Sequence, residues 1–400
     1  MFYPVEHSAP SLLILGASTR AAAQSAIRAG LVPICADLFA DLDLRACAQV
    51  LEVADYPRGL AAAAARAPVC PWMYTGGLEN HPGLVARISR SRHLWGNGPE
   101  VLRRIRNPWH VRELLIESRL PALSVWPRDA SPPLADSTWM IRPLRGAAGR
   151  GIHVWDGSPA GHKSLREPHC FQERRRGTAV SALYLAGRAQ TCLLGVTRQL
   201  IGLEEVHAPP FAWCGSITPV PLPAETMAVI RQVGEFLAAQ TALRGLFGCD
   251  FLVDEGVPWL TEVNPRYPAS TELLEHVLQV PLLDLHRRAF AEPPSLVVPS
   301  SGGLTREPAA GGAASGKIVV YANRDMVAPD LTRFVSRPSP WLDSTGTNDE
   351  SLPYLADVPL PGQSIARGQP ICTLFARGRS EAECLTKLLR RSRRFFARIR

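Results

Sequence analysis

The feature that most restricts how this chain can fold is an apolar segment at residues 249–266 that carries regularly spaced oxygen-bearing side chains. Its pattern is typical of two strands joined by a turn at residues 254–256. Side chains alternate between the faces of a strand, so Glu262 and Asn264 point the same way, and a hairpin sets Asp250 beside them. Two carboxylates and one amide oxygen suit Mg²⁺, which fills its remaining positions with water and substrate phosphates. The alternative is an ordinary hairpin, because acidic residues and Asn favour turns.

Length and composition exclude several classes of protein. A chain of 400 residues predicts two to four domains, at roughly 100–200 residues per domain. No run of about 18 apolar residues occurs, so no membrane span is expected. Residues 1–10 lack the basic region of a secretory signal. Nine scattered cysteines without a CxxC pair indicate reduced thiols, which predicts a cytoplasmic location.

The net charge of +8 is carried mainly by arginines spread along the chain, since only Lys163, Lys317 and Lys387 are lysines. A nucleic-acid-binding protein more often concentrates its charge with aromatic residues on one element. No nucleic-acid or membrane partner is therefore predicted. Residues 388–396 combine arginines with apolar residues at helical spacing, which predicts a solvated terminal helix. A surface for acidic partners is the alternative for this segment.

The N-terminal pattern is that of a parallel α/β unit. An apolar run at residues 11–15 ends at Gly16 and is followed by an Ala-rich helical stretch at residues 19–29. Further strand patterns predict a small Rossmann-like sheet within residues 1–95, at residues 31–37, 51–53 and 71–74. An NAD site would require GxGxxG after the first strand and an acid about 20 residues later. Asp37 meets the second condition, but the turn holds a single glycine, so NAD binding is disfavoured.

A second hairpin pattern, at residues 138–152, combines a strand that carries Arg142 with a turn that contains Gly146, Gly149 and Gly151. Small flexible turns let backbone N–H groups approach phosphate oxygens, and the cation can neutralise those oxygens. The alternative is an ordinary turn, since hairpin turns favour glycine in any case.

A third segment of interest ends a strand pattern at Gln172 and Glu173 and is followed by Gly177. An extended polar linker of this kind can hydrogen-bond the edge of an adenine ring through its backbone. An ordinary connection between two halves of a domain explains the local pattern equally well.

The order of these motifs resembles that of the ATP-grasp superfamily over residues 11–290. The shared features are a Rossmann-like unit, a Gly-rich phosphate hairpin, a Gln-Glu hinge and a Glu-x-Asn-Pro-Arg metal end at residues 262–266. More narrowly, the chain is similar to the predicted ATP-dependent carboligases related to biotin carboxylase. The segments that carry this closer resemblance are residues 141–146, 171–173, 197–200 and 248–251.

The resemblance implies a fold of mixed α/β and α+β class. The implied order is a preATP-grasp Rossmann-like domain, a two-subdomain ATP-grasp domain, a linker and a small β-rich C-terminal lobe with a basic helix, at residues 1–95, 96–292, 293–315 and 316–400. Within the ATP-grasp domain, a flap, a hinge and a metal end are implied at residues 142–152, 170–177 and 248–266.

The resemblance also implies ATP and Mg²⁺ as cofactors, with Mn²⁺ as the alternative metal. Asp250, Glu262 and Asn264 would hold the metal ions. Arg142 would meet phosphate, and Arg266 would lie near an acyl phosphate, where a bidentate cation fits an oxyanion. Arg142 and Arg266 are therefore the expected catalytic residues.

The remaining roles concern the nucleotide. By the same resemblance, Gly146, Gly149 and Gly151 would belong to the flap over the triphosphate. Gln172 and Glu173 would line the adenine pocket.

The reaction implied is attack of a substrate carboxylate on the γ-phosphate of ATP, followed by displacement of phosphate by an amine. The expected partners are these two small molecules and a second copy in a homodimer. Some relatives serve methanofuran or tetrahydromethanopterin biosynthesis, which suggests a role in one-carbon cofactor synthesis. Two alternatives remain: a carboxylating enzyme similar to biotin carboxylase, and a nucleotide-binding regulatory protein without turnover.

The chain departs from the family pattern at three places. Arg142 stands where the family usually has Lys, the first phosphate-binding Lys is missing near residues 106–108, and residues 178–181 offer no acid for the ribose. These departures bear on nucleotide affinity and leave the metal end intact.

Overall fold

The computed structural model describes residues 9–53, 55–158, 166, 168–291, 313–335 and 354–399. Within them the chain forms a parallel sheet, a small antiparallel sheet and a large antiparallel sheet, with helices packed on their faces. No helix in this part of the chain is both long enough and apolar enough to cross a bilayer. The mixed α/β and α+β class predicted from the sequence is confirmed.

The parallel sheet is built from the apolar runs near the N-terminus. Its strands are β1 (Ser11–Gly16), β2 (Val32–Asp37), β3 (Gln49–Leu51) and β4 (Trp72–Tyr74), in the order β3-β2-β1-β4. Its helices are α1 (Arg20–Arg28), α2 (Leu42–Arg45), α3 (Leu60–Arg66) and α4 (Pro82–Ser89). The side chains of residues 12–15 are fully buried, because they alternate between two separate apolar cores on the two faces of the sheet. β3 ends at Leu51, where the sequence pattern placed the start of that strand.

Two helices and the small sheet follow. Helices α5 (Pro99–Ile105) and α6 (Pro108–Glu117) are separated by Arg106 and Asn107. The Asn107 side chain accepts hydrogen bonds from the backbone N–H groups of residues 109 and 110 at 3.1 and 3.3 Å, which fixes the start of α6. The small antiparallel sheet has the order β6-β5-β7, with β5 at Trp139–Pro143, β6 at His153–Val154 and β7 at His169–Glu173.

The large sheet contains eight antiparallel strands in the order β12-β11-β8-β9-β10-β13-β17-β15. These are β8 (Thr178–Ala186), β9 (Thr191–Ile201), β10 (Trp213–Thr218), β11 (Gly245–Asp254), β12 (Val257–Asn264), β13 (Ala314–Tyr321), β15 (Leu355–Ala356) and β17 (Pro370–Gly378). Helix α7 (Ala224–Thr241) packs on one face. Helices α8 (Thr271–Leu278) and α9 (Leu282–Ala289) pack on the other face, in the same apolar core as β1 and α1.

The C-terminal segment continues the large sheet, because β13 pairs with β10 and with β17. Strands β14 (Met326–Val327) and β16 (Ser364–Ile365) pair separately. The predicted terminal helix is present as α10 (Glu381–Arg398), which buries Cys384, Leu388, Ser392 and Phe395. The predicted linker at residues 293–315 lies outside the described residues up to residue 312, and its end already belongs to β13.

Candidate active site

The hairpin of β11 and β12 brings together the three oxygen-bearing side chains singled out from the sequence. Asp250 pairs with Glu262 across the hairpin, and Gly248 pairs with Asn264. The Asn264 Nδ2 donates a hydrogen bond to Asp250 Oδ2 at 2.9 Å. Directly paired residues, and residues two apart on one strand, share a face. Asp250, Glu262 and Asn264 therefore converge on one side of the hairpin.

Asp250 lies in surroundings that oppose its ionisation. Burial and, secondly, the charge of Glu262 raise the pKa of the Asp250 carboxyl to about 6. Hydrogen bonds from Ser181 and Asn264 partly oppose this rise. The carboxylate is thus ionised at neutral pH, in a place where a divalent cation would stabilise its charge.

Glu262 is held by two arginines. Its Oε1 accepts a hydrogen bond from Arg106 Nη1, and its Oε2 lies 3.6 Å from Arg142 Nη2. Burial alone would raise the pKa of Glu262, but the positive charges of Arg106 and Arg142 outweigh burial and hold the pKa below its ordinary value. Glu262 therefore carries a negative charge over the whole neutral range.

A metal site at this hairpin would have few protein ligands. Among the described residues, no three His, Cys, Asp or Glu side chains cluster so as to hold a metal ion. A divalent ion would therefore depend on Asp250 and Glu262, with the Asn264 amide oxygen as a neutral third ligand. Mg²⁺ is suited to such a set, since it is usually bound by one or two carboxylates together with water and phosphate.

Arg142 connects the small sheet to this hairpin. Its Nη1 donates a hydrogen bond to Gln172 Oε1 at 2.6 Å and another to the carbonyl oxygen of Thr261. Arg142, which was expected to bind phosphate, thus contacts both Glu262 and Gln172. Gln172 is one of the two residues expected to line the adenine pocket. This link depends on β5 and β7 being neighbours in the small sheet.

Glu173 does not join that group. Its Oε2 accepts a hydrogen bond from the backbone N–H of Ser124 at 3.0 Å, and its Oε1 lies 3.0 Å from an Arg175 nitrogen. Arg175 in turn stacks over the ring of Trp259 at 3.7 Å. The Glu173 carboxylate is therefore already engaged in tying the predicted hinge to β12.

The Gly-rich turn between β5 and β6 is held by close backbone packing. Gly149 and Gly151 have φ angles of +76° and +75°, which glycine adopts without strain. A Cβ atom on Gly149 would lie 2.0 Å from the carbonyl oxygen of Phe211, and one on Gly151 would lie 2.8 Å from Pro143 Cγ. These two glycines are required by the turn itself. Gly146 has neither constraint.

Arg266 is tied to three groups around the metal end. Its Nε donates to Glu79 Oε1 at 3.1 Å, and its Nη2 donates to Asn264 Oδ1 at 2.9 Å. Its Nη1 donates to the carbonyl oxygen of Tyr267 at 3.2 Å. The positive charge of Arg266 also lowers the pKa of Asp250, against the effect of burial. The guanidinium group is therefore fixed beside the oxygen-bearing side chains, where an anionic group could meet it.

A cleft opens next to Glu262, between α5 and α6 on one side and β5, β7 and β12 on the other. About 70 Å³ of this cleft admits water-sized molecules, and about 610 Å³ is free of atoms when the adjoining open solvent is included. Its polar lining includes Arg106, Arg112, Arg142, Gln172, Thr261 and Glu262, and its apolar lining includes Val111, Leu115, Val125 and Leu260. Charged and apolar side chains in one cleft suit a ligand that has an anionic part and an apolar part.

The sequence interpretation missed three residues of this site. Arg106 lies where a phosphate-binding lysine was sought, and it contacts Glu262. Glu79 contacts Arg266, and Asn80 contacts both Arg106 and Gly146. A signal was available for Glu79 and Asn80, since they follow β4 and functional side chains gather at the carboxyl ends of parallel strands.

Asp37 has a structural role. Its carboxylate accepts hydrogen bonds from the Thr19 backbone N–H and hydroxyl at 2.5 and 2.8 Å, and from the backbone N–H groups of Phe39 and Ala40 at 2.7 and 2.9 Å. The acid that had the spacing of a ribose ligand therefore closes the turns after β1 and β2.

Solved structures define the class to which this fold belongs. An L-amino acid ligase from Bacillus licheniformis matches with a TM-score of 0.68 at 14% identity, covering 96% of this chain and 97% of that one. An N5-carboxyaminoimidazole synthase from Aspergillus clavatus, in complex with ADP and 5-aminoimidazole ribonucleotide, matches with a TM-score of 0.66 at 12% identity, covering 97% and 99%. The biotin carboxylase domain of a 2-oxoglutarate carboxylase from Hydrogenobacter thermophilus, in complex with MgADP, ADP and bicarbonate, matches with a TM-score of 0.61 at 11% identity, covering 92% and 86%. The chain has the fold of these enzymes.

The family follows from the sequence of the central region. Residues 113–270 match the family model described as an ATP-grasp domain. The matched range includes the Gly-rich turn, Gln172 and the whole β11–β12 hairpin. No curated protein matches the chain. The resemblance to the ATP-grasp superfamily inferred from the sequence is confirmed.

Proposed function

We propose that this chain is an ATP- and Mg²⁺-dependent ligase that joins a carboxylate to an amine through an acyl phosphate. The observation that carries the proposal is the convergence of Asp250, Glu262 and Asn264 beside Arg106 and Arg142, in a domain of the ATP-grasp family. The similar structures include an L-amino acid ligase and two proteins that hold ADP, which supports nucleotide-dependent ligation.

The residues present fit a divalent metal ion and a triphosphate. Asp250, Glu262 and Asn264 would hold Mg²⁺, or Mn²⁺ in its place, because hard oxygen ligands suit both ions. Arg106 has a buried Nε without a hydrogen-bond partner in the described part of the chain, so it retains a donor for an anion. A bound ion would neutralise phosphate charge during transfer.

The protein would contribute positioning and charge. Arg142 and Arg106 would bind phosphate oxygens, and the turn that holds Gly146, Gly149 and Gly151 would cover them. Gln172 holds Arg142 in place at the mouth of the cleft, whose apolar lining would take the base. Arg266 would orient the substrate carboxylate and then the acyl phosphate, since a guanidinium group fits an oxyanion. No protein nucleophile is needed, because the substrate carboxylate attacks ATP and phosphate leaves when the amine attacks.

Several finer points belong to this proposal. The substrates are small molecules, and the pathway that fits the resemblance is one-carbon cofactor synthesis, in the manner of methanofuran or tetrahydromethanopterin. A cytoplasmic location is supported by the nine cysteines, all of which are free. The homodimer, and the domain boundaries after residues 95, 292 and 315, stay predictions.

A second candidate function is a carboxylating activity. The observation in its favour is the similarity to a biotin carboxylase domain whose structure holds bicarbonate. The charged residues around Asp250 would serve either reaction, since both begin with transfer of phosphate to an oxyanion.

A phosphate-release screen tests the proposal. The protein is incubated with ATP and Mg²⁺ across a panel of carboxylic acids, amino acids and amines, singly and in pairs. We expect phosphate release that requires one acid and one amine together. Formation of ADP that requires bicarbonate would favour the carboxylating activity instead. ATP binding with background hydrolysis for every pair would refute the ligase and favour a regulatory nucleotide-binding protein.

The variant Glu262→Gln tests the metal assignment. It removes one of two carboxylates and should lower Mg²⁺-dependent turnover by ~100-fold or more, because charge stabilisation at the reacting phosphate is lost. Circular dichroism should stay that of the wild type. The matched control is Glu113→Gln, which neutralises an exposed carboxylate on α6 and should leave turnover unchanged. Activity of Glu262→Gln within a few-fold of the wild type would remove Glu262 from the metal site.

A further inference from the structure

The loop after β4 reaches from the parallel sheet into the candidate active site. It forms a short 3₁₀ helix at Leu78–Asn80, in which Glu79 and Asn80 are only 3% and 8% exposed. Buried polar side chains need partners to offset the loss of hydration. The partners of Glu79 and Asn80 are groups of the nucleotide site, although these two residues lie outside the segment that matches the ATP-grasp family model.

Glu79 anchors Arg266. The Glu79 Oε1 accepts from Arg266 Nε at 3.1 Å, and its Oε2 accepts from the backbone N–H of Gly77 at 2.6 Å. From Arg266 the chain of hydrogen bonds continues to Asn264 Oδ1 at 2.9 Å and from Asn264 Nδ2 to Asp250 Oδ2 at 2.9 Å. One carboxylate in the loop after β4 thus fixes the guanidinium group and, through it, the orientation of the Asn264 amide.

Asn80 uses both ends of its amide on two other parts of the site. Its Nδ2 donates to the carbonyl oxygen of Gly146, in the Gly-rich turn, at 3.1 Å. Its Oδ1 accepts from Arg106 Nη2 at 2.9 Å, while Nη1 of the same guanidinium group contacts Glu262. Asn80 therefore joins the turn over the phosphates to the arginine that neutralises Glu262.

We propose that Glu79 and Asn80 are positioning residues of the ligase reaction. Glu79 orients Arg266 toward the substrate carboxylate and the acyl phosphate. Asn80 orients Arg106 and the Gly-rich turn toward the phosphates of ATP. The inference rests on the proposed function. Substituting a residue that hydrogen-bonds to a ligand-binding side chain and orients it typically changes affinity or rate by ~10–100-fold. Small displacements of the groups that orient reacting atoms have effects of similar size.

The different roles of Glu79 and Asn80 predict two different kinetic defects. Glu79→Gln keeps the shape but loses the charge that fixes Arg266, so the rate constant for phosphate release should fall ~10–100-fold while the Kd for MgATP changes by less than about 3-fold. Asn80→Asp keeps the acceptor for Arg106 and loses the donor to Gly146, so the Kd for MgATP should rise ~10-fold. Rescue by Glu79→Asp above the level of Glu79→Gln is expected, since the carboxylate is restored.

A matched control separates positioning from stability. Glu275 is also a buried glutamate that joins the same two parts of the molecule, since it lies 2.7 Å from Arg28 on α1. It contacts none of Arg106, Arg142, Arg266 and Gly146 in the described structure. Glu275→Gln should leave both the Kd for MgATP and the rate constant within about 2-fold of the wild type, whatever its effect on the melting temperature.

The experiment uses the full chain, with calorimetric titration of MgATP, phosphate release and thermal melting measured on each variant. A split between a rate defect in Glu79→Gln and an affinity defect in Asn80→Asp supports the inference. Wild-type kinetics in both variants, or kinetic defects of the same size in Glu275→Gln, would overturn it. A wild-type protein that fails to bind MgATP would overturn the proposed function first, and this inference with it.

Discussion

Asp250→Asn should make the ligand-free protein more stable while it removes turnover. Burial, together with the neighbouring charge of Glu262, raises the pKa of Asp250 from its ordinary 3.8 to about 6. One pKa unit corresponds to ~1.4 kcal/mol, so the ionised carboxylate destabilises the fold by ~3 kcal/mol at most. Asp250 is partly exposed, and solvent screening reduces the expected gain in the free energy of unfolding to ~1–2 kcal/mol.

The sign of the pH dependence follows from the direction of the shift. The folded protein binds the Asp250 proton more tightly than the unfolded chain does, so this stability is fully present below the unfolded-state pKa and is lost as the pH rises through about 6. The Asn side chain has no proton to lose. The advantage of Asp250→Asn over the wild type should therefore grow between about pH 4 and pH 6 and stay constant above about pH 7.

Urea denaturation followed by tryptophan fluorescence, with EDTA present and at several pH values in this range, measures the effect. The control is Asp254→Asn, on the same strand, whose carboxylate is 37% exposed and lies 3.6 Å from an Arg175 nitrogen. It should change the free energy of unfolding by less than ~1 kcal/mol at every pH. An Asp250→Asn variant that is no more stable than the wild type at neutral pH, or whose gain is the same at every pH, would refute the reasoning.

Two further variants test a cation of the site and a buried ion-pair cluster outside it. Arg142→Ala should raise the Kd for MgATP ~10-fold or more, because the cation that connects Glu262 and Gln172 is lost. Unchanged nucleotide titrations would count against its phosphate role. Glu272→Gln should lower the free energy of unfolding by ~3 kcal/mol, because Glu272 is buried between Arg20 and Lys317, with Lys317 Nζ at 2.8 Å. A urea midpoint equal to that of the wild type would contradict the second expectation.

The convergence of the three oxygen-bearing side chains could be predicted from the sequence because all of its geometry is local. A two-residue period and one tight turn place Asp250, Glu262 and Asn264 together, and both are visible in residues 249–266. Strands β1, β2 and β4 of the parallel sheet were visible for a similar reason, since buried strands appear as continuous apolar runs.

The partners of these residues could not be predicted, because they depend on long-range packing. Arg106, Glu79 and Asn80 reach the hairpin only when the parallel sheet, α5 and the Gly-rich turn meet. The engagement of Glu173 by Arg175 was hidden as well, because either residue could face solvent in an extended linker. The position of β13 next to β10 also depends on pairing between distant segments, for which the sequence offers no register.

Because β13 belongs to the large sheet, the edge of β10 is covered only when the C-terminal segment is present. β13 covers the hydrogen-bonding edge of β10 and carries Lys317, which compensates the charge of Glu272. A protein shortened after residue 291 would present β10 as a bare edge, with a row of unsatisfied backbone groups ready to recruit a strand from a neighbouring molecule. The C-terminal segment therefore protects residues before 292 from self-association through the edge of β10.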